Sequence, residues 1–181
     1  MNWILFGFKG SGKTTLGRSI AEQLNCKFID TDKEIESLYF SRTEQKLTCR
    51  AIHQLIGEEG FRSLESETLA ALKSCQNAII AVGGGSILDP TNADTLAKLG
   101  KFVYLKISKE TLKKRILGAE LPSYLNPADP EGSFEKMYNQ RKPLYDKILA
   151  LSIDLETKTQ DQAVFEILTL IKKEEAPHGE Q

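Results

Sequence analysis

The sequence predicts a single α/β domain, three layers deep, with a central parallel sheet of five strands and helices on both faces. Three observations carry that expectation. Short apolar runs alternate with segments of helical period along the chain. No repeat, low-complexity stretch or interdomain linker interrupts them. A glycine-rich loop joins the first apolar run to the first helix, where such a fold presents backbone amides to phosphate.

The elements follow in order. Residues 2–6 form the first strand, and Leu16, Ile20 and Leu24 recur at helical spacing over 14–24. Residues 26–29 are a second short strand, running into Asp30 and Asp32. Residues 33–73 read as helical with at least one break near Gly57, and Phe61, Leu64, Thr68, Leu69 and Leu72 make a core-facing stripe. Residues 78–82 are a continuously apolar strand that ends in Gly83, Gly84 and Gly85. Asp89 before Pro90 has the form of an N-cap followed by proline at the first helical position, starting a helix to about Leu99. A strand over 102–107 follows, then a helix over 109–117 capped by Ser108. Residues 118–132 hold three prolines and almost no periodicity. A helix over about 133–149 is expected to kink at Pro143. A last strand over 152–155 and a last helix over 160–173 complete the domain, and 174–181 is expected to be a disordered tail.

Composition excludes several classes. The 181 residues are 40% hydrophobic and 27% charged, as in ordinary globular chains. Basic residues number 24 and acidic residues 25, so the basic excess of a nucleic-acid-binding protein is missing and no nucleic-acid partner is expected. The longest apolar runs are too short to span a bilayer, so no membrane partner is expected either. Lys9 and Lys13 arrive too early for a secretory signal. Cys26, Cys49 and Cys75 include no C-x-x-C pair and are expected to be free thiols in a reducing cytoplasm. His53 and His178 attract no role, and no Cys/His spacing suggests zinc.

Residues 7–14 read G-F-K-G-S-G-K-T, the phosphate-loop pattern G-x-x-x-x-G-K-[ST]. Its glycines let successive N–H groups turn inward as an anion nest, and the helix that follows adds its positive end. Lys13 suits the β- and γ-phosphates, and the Thr14 hydroxyl suits Mg²⁺, which takes oxygen ligands. Gly10, Ser11, Gly12, Lys13, Thr14 and Thr15 are therefore the candidate ATP-binding set. No N-K-x-D guanine reader is present, and the strand over 78–82 ends in glycines where a motor or large ATPase would carry Asp. Those absences leave Asp30 and Asp32 as the metal-side carboxylates. Small-molecule kinases of the nucleoside-monophosphate-kinase type place an acidic residue there, beside the acceptor.

Further segments make the resemblance specific. D-T-D at 30–32, G-E-E-G-F-R-S-L-E at 57–65, A-V-G-G-G at 81–85 and R-K-P-L-Y at 141–145 follow the loop in order, and together they resemble shikimate kinase from residue 4 to about 170. The resemblance implies a P-loop kinase domain over 1–173 with a mobile lid at about 118–132. It implies phosphorylation of the 3-hydroxyl of shikimate, with ATP and shikimate as ligands, Mg²⁺ as cofactor and a monomer as the working unit. Carried to the matching positions, Lys13 would stabilise charge on the transferring phosphoryl group. Thr14 would ligate the metal, Asp30 would support it through water, and Asp32 would hold the acceptor hydroxyls and serve as base. Arg62 and Arg141 would bind the substrate carboxylate, Gly83, Gly84 and Gly85 would offer amides, and Arg115 would stack on the adenine.

Three of these residues have a plainer alternative. Arg62 can pair with Glu58 or Glu65 on its own helix, Arg141 can be a solvated helix residue, and Asp32 can be an N-cap for a helix from Lys33. The chain also departs from the family twice. The stretch from Asp32 to Arg62 is several residues longer, and the arginine usually found before the lid proline is replaced by Leu121, with no arginine anywhere from 116 to 140. Lys9 or Arg115 is the expected source of the missing charge. Two other readings therefore stay open: a kinase of the same fold acting on a different hydroxy acid, and a nucleotide-binding protein that has lost catalysis.

Overall fold

A computed structural model of the chain describes residues 1–176. Five strands, β1 (Trp3–Phe6), β2 (Lys27–Asp30), β3 (Ala78–Ala81), β4 (Lys101–Lys106) and β5 (Leu151–Asp154), form one sheet in the order β2-β3-β1-β4-β5. Every pairing is parallel. The central β1 and β3 are buried at every position, which is why their sequences WILF and AIIA are continuously apolar.

Alternation along β1 divides the interior. Ile4 and Phe6 join a cluster with Ile80, Tyr104, Phe134 and Tyr145, whereas Trp3 and Leu5 join another with Ile20, Val103 and Ile167. The helix α1 (Lys13–Leu24) and the C-terminal α7 (Gln160–Glu175) contribute to the second layer. Gly17 sets how closely α1 lies on the sheet, because a Cβ there would come 2.5 Å from the Phe28 ring. A third, smaller cluster of Ile35, Tyr39, Ile52, Phe61 and Leu64 lies between α2 (Thr31–Thr43) and α3 (Cys49–Ala71).

The expected 33–73 helix is two helices. Gly57 does interrupt α3, with φ 74° and ψ 177°, a conformation that only glycine adopts without strain. A second break at 44–48 carries no glycine or proline, and Glu44 takes the left-handed cap position unaided. The first of the two helices starts at Thr31, with Asp30 as its cap, so Asp32 lies inside the first turn and is not the cap.

The helices α4 (Pro90–Leu99) and α5 (Lys109–Leu117) have the expected caps, Asp89 and Ser108. The next helix, α6 (Pro130–Asp146), starts three residues earlier than expected, because Asp129 caps it through the Gly132 amide and Pro130 takes the first helical position. It runs through Pro143. The last helix, α7, includes Glu174 and Glu175, held at its start by the capping box of Thr159 and Gln162. The rest of the expected tail, 177–181 with His178, lies outside the described residues. All three cysteines are free, and no helix among the described residues is long and apolar enough to cross a membrane.

Candidate active site

The loop between β1 and α1 is built by its glycines, with φ of 82° at Gly10 and 94° at Gly12. It closes through the Ser11 amide, which donates to the Phe8 carbonyl at 3.2 Å. The Lys13 ammonium donates to the carbonyls of Gly7 at 3.0 Å and Phe8 at 2.8 Å. Burial lowers its pKa to about 8, against the opposing pull of Asp32 and Asp30. The Ser11 hydroxyl is buried with no partner among the described residues, a polar atom left over in a phosphate cradle.

At the end of β2, Thr14 Oγ1 donates to Asp30 Oδ2 at 2.7 Å, and the Asp32 amide donates to Asp30 Oδ1 at 3.1 Å. Asp30 therefore ties the loop, the strand and α2 together. Burial pushes the Asp32 carboxyl above its usual range, and the charge of Asp30 adds to that, while Lys13 and Lys9 oppose it. The donor set suits a hard cation held mainly by phosphate and water: one hydroxyl, one carboxylate bonded to it and a second carboxylate nearby. Among the described residues no group of three or more His, Cys, Asp or Glu is placed to hold a metal ion by itself.

The facing wall comes from α3 and the turn after β3. Arg62 Nε donates to Glu58 Oε1 at 2.8 Å, and its Nη1 pairs with the buried Glu65. Glu58 also holds His53 Nε2 at 2.6 Å. Both helical partners foreseen for Arg62 are thus engaged, yet its guanidinium still faces the cavity. The three glycines let the backbone come close to these groups. A Cβ on Gly83 would lie 2.9 Å from Asp32 Oδ1, and one on Gly85 3.1 Å from Arg62 Nη2. The Tyr145 hydroxyl donates to the Gly84 carbonyl, fixing the turn to α6. Arg141, on the same helix, has its guanidinium 4.7 Å from the centre of the Tyr124 ring. Arg115 Nη1 donates to the Gly10 carbonyl at 2.9 Å, on the rim of the loop.

These pieces enclose one cavity of about 770 Å³. Its lining includes Gly10, Gly12, Lys13, Thr14, Thr15, Asp32, Arg62, Gly83, Gly84, Gly85, Arg115 and Arg141. Of the expected site residues, Ser11 and Asp30 alone stand behind it, Ser11 buried under the loop and Asp30 behind Thr14. Sequence reasoning did not assign Cys49, Arg50, His53, Phe61 or Tyr124 to the site, and all five line it. The first three come from the stretch between Asp32 and Arg62, where no motif spacing marks a direction. In the irregular stretch before α6, Leu121 packs against the core while Pro122, Ser123 and Tyr124 face the cavity.

The comparisons agree with this geometry. A family model described as shikimate kinase matches residues 9–172. A shikimate kinase of Caldicellulosiruptor saccharolyticus is 38% identical over 144 residues, covering 80% of both chains. One of Caldanaerobacter subterraneus subsp. tengcongensis is 33% identical over 92% of this chain and 94% of its own. Among solved structures, a shikimate kinase from Acinetobacter baumannii in complex with shikimate superposes with a TM-score of 0.85 at 31% identity, covering 97% of this chain and 94% of that one. A sugar kinase from Janibacter shares the fold at a TM-score of 0.58 and 18% identity. With a family model spanning nearly the whole chain, and relatives above 30% identity along most of their length, this protein belongs to the shikimate kinase family.

Proposed function

We propose that the chain transfers the γ-phosphoryl group of ATP to the 3-hydroxyl of shikimate, giving shikimate 3-phosphate and ADP. The observation that carries the reading is the shared cavity, lined by a phosphate loop, by Asp32 and by two arginines suited to a carboxylate. Phosphoryl transfer asks chiefly for positioning and charge stabilisation, and these walls supply both. Lys13 leaves its loop carbonyls for the β- and γ-phosphates. Asp32, its carboxyl raised by burial, takes the proton of the attacking hydroxyl. Arg62 and Arg141 grip the substrate carboxylate, arginine being chosen for its planar fork. Gly83, Gly84 and Gly85 admit the ring close to the backbone, and Arg115 covers the adenine edge from the rim.

The family works with ATP and generally with a divalent metal. For this chain we assign Mg²⁺, which the Thr14 hydroxyl and Asp30 would hold and which would supply charge neutralisation at the phosphates. The free thiols support a reducing, cytoplasmic setting, and family likeness supports a monomer. An ADP-release assay with ATP and shikimate, with and without Mg²⁺, tests the whole reading. Turnover that requires shikimate and Mg²⁺ supports it. Turnover only with another hydroxy acid, or ATP binding without turnover, overturns it.

A further inference from the structure

The lid's missing arginine has a counterpart on the opposite wall. The chain has six arginines, and four of them (Arg50, Arg62, Arg115 and Arg141) line the cavity. Arg50 is the one of the four to which sequence reasoning assigned no role. It sits in the first turn of α3, where the helix dipole disfavours a cation. That turn is capped by the Thr48 side chain, which accepts from the Ala51 amide. Two bonds hold it against α2: the Cys49 amide donates to Glu36 at 3.0 Å, and the Cys49 thiol donates to the Asp32 carbonyl at 3.1 Å. Arg50 is thus anchored to the backbone of the residue proposed as base. From there its Nη1 pairs with Glu120, the residue two before the lid proline. Glu120 is otherwise 82% exposed, whereas the Arg50 side chain is 32% exposed.

We propose that Arg50 is a positioning residue that holds the lid over the site through Glu120. The charge order is the reverse of a lid that carries its own arginine: here the lid brings the anion and the acceptor wall keeps the cation. Tyr124, four residues after Glu120, repeats the arrangement with its ring against the Arg141 guanidinium. The start of α3 at Cys49 puts Arg50 in the first turn, from which its side chain meets the lid. Arg50 acts on the lid and not on the transferring phosphoryl group, so its loss lowers the share of closed molecules. An exposed ion pair shifts such an equilibrium by about fivefold at most. That is enough to matter for a lid lying near balance.

The proposal rests on the shikimate-phosphorylation reading for its kinetic consequence only, and the test has an arm independent of substrate. Amide hydrogen exchange over 118–129 is measured in the ligand-free protein at low salt for the parent, Arg50→Ala, Glu120→Ala and the double variant. Each single change should speed exchange there about threefold to fivefold, and the double variant should be no faster than the faster single. At 1 M salt, where the screening length is about 3 Å, the parent should approach the variants. The kinetic arm is kcat/KM for shikimate, expected to fall by a similar factor in both singles. Exchange within twofold of the parent in either single, or effects that multiply in the double, would overturn the latch. So would a Glu120→Ala enzyme as active as the parent, since Arg50 would then work without the lid. A parent that never turns over shikimate overturns the proposed function and leaves the exchange result to stand or fall alone.

Discussion

The Lys13 ammonium donates to the Phe8 carbonyl at 2.8 Å, inside the loop that both residues belong to. A second bond to the Gly7 carbonyl completes its seat. The lysine is thus held at the phosphate position by groups that a nucleotide's oxygens can replace. Its charge is what the chemistry needs, and its removal leaves the sheet untouched. Lys13→Ala should cut kcat at least ~100-fold, as loss of a charge contact to a transition state does, with an unchanged circular-dichroism spectrum.

Burial makes that charge sensitive to pH. With the Lys13 pKa lowered to about 8, the free enzyme loses the ammonium as pH rises through that value, so kcat/KM for ATP should fall on the alkaline side of about 8. Asp32 shapes the other limb. Its carboxyl is raised by burial and works as the carboxylate, so activity should rise with pH as it ionises. Asp32→Asn should remove that acid limb and lower kcat by roughly 100- to 10,000-fold while ATP still binds. A persisting acid limb in the variant would assign the base elsewhere.

Arg62 tests the acid-binding wall. Glu58 holds its Nε and Glu65 its Nη1, which fixes the guanidinium with Nη2 beside Gly85. Arg62→Lys keeps the charge and loses the second bond, and should weaken shikimate binding by roughly 10- to 100-fold. ATP affinity should stay within about twofold. Calorimetric titration of each ligand decides it, and parallel losses would count against a substrate role.

Leu121 tests the lid. Its side chain packs against the core and is not among the cavity-lining residues, so an arginine there would replace an apolar anchor without reaching the phosphates. Leu121→Arg should cost on the order of 1 kcal/mol and lower Tm by about 2–4 °C. It should also leave kcat/KM no higher than in the parent. A clear gain in kcat/KM would show that the lid can swing this position into the site.

Gly17 tests the fold beneath the loop. An added methyl would meet the Phe28 ring at 2.5 Å and a Leu5 methyl at 3.2 Å, both inside the packed layer under α1. Gly17→Ala should destabilise the protein by about 1–3 kcal/mol, read as a lower midpoint in urea. An unchanged midpoint would mean that α1 can shift freely on the sheet.

Much of this protein was legible in its sequence wherever local chemistry decides the outcome. Strand runs, the caps at Asp89 and Ser108 and the phosphate loop all depend on neighbours within a few residues, and all appear where expected. The site residues carried by motifs, from Lys13 to Arg141, converge on one cavity because each motif sits at a strand end or helix start that the parallel sheet directs to the same edge. Boundaries without a marker were not legible. Glu44 takes a left-handed conformation with no glycine to announce it, because the contacts between α2 and α3 settle where the first helix must stop. Nor could spacing alone say that Arg50 would meet Glu120, 70 residues further on, or that Leu121 would turn inward while Tyr124 turned to Arg141. The sequence by itself determined the elements and the chemistry each can offer. Only the tertiary structure decided which side chains face the cavity, since that depends on how separate elements pack and not on the order in which they come.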